Sequence, residues 1–139
     1  MKAYLDSSVL IAIAFREAKH IANLEQYDSL MTSRMACAEC FRTLHRLNLE
    51  RKIDENETVA RGDFFRESFR GLILIDVSTA VINRAMESFG IYVKTLDAIH
   101  LSTALLWQEQ KKEELTFLTH DERQEKAARL LGFSVGTKP

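Results

Sequence analysis

Residues 72–77 read Leu-Ile-Leu-Ile-Asp-Val, an almost unbroken apolar run between Gly71 and the pair Ser78-Thr79. It is the clearest strand in the chain, and a run of this kind suits a sheet buried on both faces. Such a sheet must be covered by helices, and the flanking sequence supplies them. Residues 54–71 open with an acid-rich turn and stop at Gly71, as a helix does. Ser78-Thr79 can cap a helix over 79–89 that ends at Gly90. The same alternation recurs on either side. Residues 3–6, Ala-Tyr-Leu-Asp, form a short strand-like segment, after which Ser7 and Ser8 can cap a helix through Phe15. Residues 17–26 predict a second helix and 29–33 a second strand. From Arg34 to about Arg51, Met35, Ala36, Cys40, Phe41, Leu44 and Leu47 recur at helical steps. Thr95 is placed to cap a helix from Leu96 to about Gln110. Strand 115–119, helix 121–131 and a last short strand at 133–136 complete the pattern. Strands alternating with helices predict an α/β domain with a mainly parallel sheet between helical layers.

Composition sets the scale. The 139 residues, 46% of them hydrophobic, suit one domain with a full core. The formal net charge of −1 carries no global sign of a nucleic-acid partner. A local basic strip can still contact phosphates in a neutral protein. No apolar run reaches the roughly 18 residues that span a bilayer. The apolar segment 9–15 is preceded by Asp6 and followed by Arg16-Glu17, which suits a buried segment better than a signal peptide. A soluble, cytoplasmic protein is expected. The pair Cys37 and Cys40 has redox or zinc spacing, but no second Cys pair exists and the motif lies inside a helical pattern. Both cysteines are expected to pack as small core residues. Lys111 to Glu114 suit a solvated connection.

In an open parallel sheet, ligands bind beyond the carboxyl ends of the strands. Four acids fall there: Asp6 ends the first strand, Asp97 lies in the first turn of its helix, Asp121 follows the strand 115–119, and Glu39 lies early in the helix after the second strand. Each has an ordinary structural explanation. Asp6 could cap a helix. Asp97 could favour a helix dipole, Asp121 and Gln124 fit a capping box, and Glu39 could pair with Arg42. Together they are harder to explain that way, because carboxylates crowded in a cleft repel one another. A divalent cation relieves that repulsion. Mg²⁺ and Mn²⁺ favour oxygen ligands, and such an ion can activate water and neutralise charge on a phosphoryl group. Metal-dependent phosphodiester hydrolysis is the natural chemistry.

Other chemistries are poorly supplied. No Gly-flanked nucleophilic Ser and no phosphate-binding glycine pattern occurs. His100 is expected to be a packed helix histidine, and His120 is a weak candidate for substrate contact. A phospho-receiver domain would need an acid pair after the first strand. Here that strand ends Asp6-Ser7-Ser8, and Asp76 lacks acidic companions.

Four blocks, YLDSSVLI (4–11), CAECFRTLHR (37–46), TLDAIHLSTAL (95–105) and TFLTHDERQEKAARLLGF (116–133), resemble PIN-domain ribonucleases in order and spacing. Within that family they are most similar to VapC-type toxins of toxin–antitoxin pairs. The resemblance covers essentially the whole chain, so residues 1–139 are expected to form a single PIN domain. It implies a three-layer α/β/α fold with a five-stranded sheet in the order 3-2-1-4-5. It also implies a Mg²⁺- or Mn²⁺-dependent endoribonuclease that leaves a 3′-hydroxyl and a 5′-phosphate. The family's acids fall on Asp6, Glu39, Asp97 and Asp121, with Ser8 and Thr119 as supporting polar residues. Asp6, Asp97 and Asp121 are the implied metal ligands. Glu39 would orient or deprotonate the attacking water, or help to hold a second metal. Arg42, Arg46 and Lys94 are candidate phosphate contacts, although a solvated face explains them equally well. The implied partners are an RNA substrate, an antitoxin laid over a groove furnished by residues 9–52, and a second copy of the chain. A solitary RNA-processing nuclease and a non-catalytic binding PIN domain remain as alternatives.

Overall fold

β1 (Lys2–Leu5) shows why the chain folds in layers. Its side chains alternate: Ala3 and Leu5 enter one apolar cluster with Val9, Leu44, Phe65 and Leu118. Tyr4 enters another with Met31, Leu101, Phe117 and Phe133. A strand buried on both faces needs helices on both, and the computed structural model, which describes residues 1–17 and 23–136, has them. β1 lies between β2 (Ser29–Ser33) and β4 (Leu115–Leu118), with β3 (Ile73–Ile75) and β5 (Ser134–Val135) outside them. The order is β3-β2-β1-β4-β5, and every neighbouring pair is parallel. This is the expected sheet. α1 (Ser7–Ala14), α2 (Met35–Leu49) and α3 (Glu55–Arg70) pack on the Leu5 face. α4 (Thr79–Ala85), α5 (Thr95–Lys111) and α6 (Glu122–Leu130) pack on the Tyr4 face. Burying a side chain such as Phe65 or Phe117 contributes about 1.5–3 kcal/mol.

The structure corrects several local expectations. The apolar run at 72–77 yields a strand of only three residues, at the edge that the expected order gives it, and none of the three is fully buried. Ile73 is 46% exposed. The run is apolar because Leu72 and Ile75 turn to opposite helical layers, while among the described residues no strand neighbours the outer edge. The first helix is capped by Asp6, not by Ser7 or Ser8, and the Asp6 carboxylate accepts from the Ser8 N–H. Thr95 is the first residue of α5 rather than its cap, and Lys94 in the cap position makes no side-chain bond. α4 ends at Ala85, short of the expected 89, and Gly90 turns the chain at φ +82. Of the helix expected at 17–26, residues 18–22 lie outside the described residues, and Leu24–Gln26 form one 3-10 turn. Cys40 is buried beside Leu44 and Cys37 is half-buried; both are free thiols. Among the described residues, no helix is long and apolar enough to cross a membrane.

Parallel strands bring all their carboxyl ends to one rim. α1, α2 and α6 start there directly from β1, β2 and β4, and α5 points its first turn there because it runs back to the start of β4.

Candidate active site

Asp6 is the fixed point of the rim. It is 4% exposed, and both carboxylate oxygens are held. Oδ1 accepts from the Ser8 N–H at 3.1 Å and from the Ser8 hydroxyl at 2.5 Å. Oδ2 accepts from the Thr119 hydroxyl at 2.5 Å. The same two hydroxyls brace the end of β4: Ser8 Oγ accepts from the His120 N–H, and Thr119 Oγ1 accepts from the Asp121 N–H, each at 3.0 Å. Burial raises the pKa of Asp6, against the opposing pull of His100 and of the two hydroxyl donors.

Glu39 reaches the rim from α2. Its ordinary structural explanation is a pair with Arg42, one turn along the same helix. The bond observed is instead to His100 of α5, with Nε2 at 2.6 Å from Glu39 Oε1. His100 is a packed helix histidine, as expected, and it is also polar-bonded at both ends. Its Nδ1 lies 2.6 Å from the hydroxyl of the fully buried Tyr4. The sequence reading missed Tyr4 and its link to Glu39. The available signal was weak: His100 follows Asp97 by one helical turn, and Tyr4 precedes Asp6 on the same face of β1.

Asp97 is half-buried in the first turn of α5. Its pKa is raised to about 6, first by burial, then by the charges of Asp121 and Asp6. Asp121 is exposed and caps α6, with Oδ1 accepting from the Gln124 N–H at 2.8 Å. Only half of the expected capping box forms. The Gln124 side chain does not return to Asp121; it is fully buried, and its Nε2 donates to the Asp97 carbonyl at 3.3 Å. Gln124, expected only in the capping box, therefore ties the Asp97 turn to the Asp121 turn.

The donor set is carboxylate and hydroxyl oxygen, which suits a hard divalent cation. The Glu39 charge raises the pKa of Asp6, and the charges of Asp121, Asp6 and Glu39 raise that of Asp97. Bringing a cation to this rim would lower that repulsion. Among the described residues no three His, Cys, Asp or Glu side chains are gathered closely enough to hold a metal ion. The acids are thus coupled through charge rather than drawn into a closed cage. Cys40, beside Glu39 in sequence, is no soft ligand in waiting, because burial pushes its thiol far up.

The three basic candidates differ. Arg42 and Lys94 are exposed. Arg46 is engaged with Glu50 of its own helix at 3.0 Å. Arg34, not singled out from sequence, binds Asp76 at 2.7 Å across the ends of β2 and β3.

A sequence profile of the PIN domain matches residues 3–130. The chain belongs to the PIN-domain family. This PIN domain is 32% identical over 136 residues to Ribonuclease VapC46 of Mycobacterium tuberculosis, an alignment covering 95% of this chain and 94% of that protein. Solved structures with the same fold include VapBC2 from Rickettsia felis bound to a DNA fragment from its promoter. That match has a TM-score of 0.69 and 14% identity, and covers all of both chains. A toxin–antitoxin complex from Klebsiella pneumoniae matches with a TM-score of 0.64 and 18% identity, over 97% of this PIN domain and 96% of that chain.

Proposed function

We propose that this protein, as a single PIN domain over residues 1–139, is a Mg²⁺- or Mn²⁺-dependent endoribonuclease and the toxin of a cytoplasmic toxin–antitoxin pair. One observation carries the reading: Asp6, Glu39, Asp97 and Asp121 lie at one sheet rim, with Asp97 raised to about 6 by burial and by its acidic neighbours. The 32% identity to Ribonuclease VapC46 over most of the chain supports RNA as substrate.

Asp6, Asp97 and Asp121 would hold the cation. The chemistry such a cation would supply there is charge neutralisation on the phosphodiester and a more acidic water. Ser8 and Thr119 keep the Asp6 carboxylate in one orientation through their hydroxyl donors. Glu39, held at one oxygen by His100, orients the attacking water and accepts its proton. Attack at phosphorus breaks the bond to the 3′ oxygen, which takes up a proton and leaves as a 3′-hydroxyl beside a 5′-phosphate. Arg42, Arg46 and Lys94 contact flanking phosphates.

A partner protein fits the surface. The cleft between α1 and α3 is apolar, about 330 Å³, and lined by Leu10, Ile13, Leu24, Phe64 and Leu72, which suits the apolar face of an antitoxin segment. Ile82, Met86 and Leu96 leave exposed apolar surface on the other layer, which suits a homodimer.

The test is RNA cleavage by purified protein with Mg²⁺ or Mn²⁺, with EDTA, and with Asp6→Asn and Asp97→Asn variants. Cleavage that needs the metal and is lost in both variants supports the proposal. Cleavage that survives EDTA, or both substitutions, overturns it.

A further inference from the structure

The buried chain Tyr4–His100–Glu39 connects three elements across the sheet end. Tyr4 belongs to β1, His100 to α5 on the Tyr4 face, and Glu39 to α2 on the opposite face. Both links are 2.6 Å, and both inner members are essentially without solvent contact. An ionised carboxylate can only accept, so the Nε2 facing Glu39 carries a hydrogen. The Tyr4 hydroxyl can then donate to Nδ1. Tyr4 is itself fixed, stacked on Phe117 with ring centroids 5.3 Å apart. A packed histidine does not require two short polar bonds in series, and a surface glutamate does not require a buried partner on another helix.

We infer that His100 is a positioning residue for Glu39: anchored by Tyr4, its imidazole holds one oxygen of the Glu39 carboxylate and leaves the other to the water that attacks RNA. The inference rests on the ribonuclease reading and assigns a role to residues outside the four acids. It also accounts for the missing Glu39–Arg42 pair. A glutamate held by an exposed arginine would swing with it, whereas one held by a histidine seated in the core keeps its direction.

The test is a mutant cycle on metal-loaded protein with a fluorogenic single-stranded RNA. His100→Leu is expected to lower kcat about 100-fold, the scale of a displaced catalytic group, and to leave KM within about twofold. His100→Gln, which keeps an amide donor for Glu39, recovers roughly tenfold of that loss. Tyr4→Phe costs roughly 2- to 10-fold. In a Glu39→Gln background, His100→Leu adds less than about twofold, because its partner is already neutralised. Equal losses from His100→Leu in both backgrounds, or equal impairment of the Leu and Gln variants, would overturn the inference. Imidazole ¹H–¹⁵N spectra give a readout that needs no activity. A protected Nε2–H signal, assigned by its loss in His100→Gln, should move in Glu39→Gln and is overturning if it does not. Should the native protein cleave no RNA while that signal behaves as described, the ribonuclease reading falls and the Glu39 anchor stands.

Discussion

The Thr119 hydroxyl donates to Asp6 Oδ2 at 2.5 Å, joining residues 113 positions apart in the chain. The bond closes the ends of β1 and β4 over a carboxylate that burial has made costly to ionise. Thr119→Val keeps the shape and removes the donor. A lost hydrogen bond to a buried charged group costs about 1.5–3 kcal/mol. Urea unfolding near neutral pH should show a loss of that size. The loss should shrink in acid, where Asp6 is protonated and no longer needs the donor.

Asp97 gives the pH dependence its sign. Its folded-state pKa of about 6 lies above the ordinary 3.8, so the folded protein binds this proton more tightly than the unfolded chain does. Stability from this group is therefore greatest below the ordinary value and is lost as pH rises through about 6. Full conversion of the shift would give roughly 3 kcal/mol, but solvent screens a half-buried carboxylate, leaving about 1 kcal/mol. In metal-free protein, Asp97→Asn should raise Tm near pH 8 and leave it unchanged near pH 4; in Mg²⁺ or Mn²⁺, its cleavage should fall at least about 100-fold. Equal Tm values at both pH values would contradict the electrostatic account.

Divalent cations should stabilise the native protein through the same acids. At about 100 times its dissociation constant, an ion that binds only the folded state adds about 2.7 kcal/mol. Thermal unfolding with Mg²⁺ or Mn²⁺ should show the gain, and EDTA should remove it. Asp6→Asn should lose most of it. An undiminished gain in that variant would place the ion elsewhere.

Arg42, Arg46 and Lys94 should separate in their salt dependence. Each phosphate contact to a single strand contributes about 0.7 to the slope of log affinity against log salt. Arg42→Ala and Lys94→Ala should each lower the slope by roughly that amount, measured on a catalytically silent Glu39→Gln protein. Arg46→Ala should do less, because Arg46 is already paired with Glu50.

Gln124→Leu tests the joint between the two outer acids. It removes the donor to the Asp97 carbonyl while keeping the buried volume. A stability loss of about 1–2 kcal/mol is expected, together with a weaker metal-dependent gain in Tm. A variant that loses stability but keeps the full gain would confine Gln124 to structure.

The sequence by itself determined the α/β architecture and singled out four candidate acids. Short apolar runs separated by helical patterns leave few arrangements other than a parallel sheet between helical layers, and strand order places Asp6, Glu39, Asp97 and Asp121 at one rim. Local chemistry was less legible where several residues compete for one role. Asp6, Ser7 and Ser8 could each have capped α1, and the choice fell to Asp6 because its carboxylate also meets Thr119 from β4. The run at 72–77 is apolar enough for a central strand, and only the strand order makes it an edge. Glu39 had a local partner in Arg42, yet it bonds to His100, 61 positions away. These bonds join residues distant in the chain, and spacing along a single element carries no information about them. They exist because the sheet brings the ends of β1, β2 and β4 and the first turn of α5 within hydrogen-bonding reach, and a buried polar group takes the partner that packing supplies.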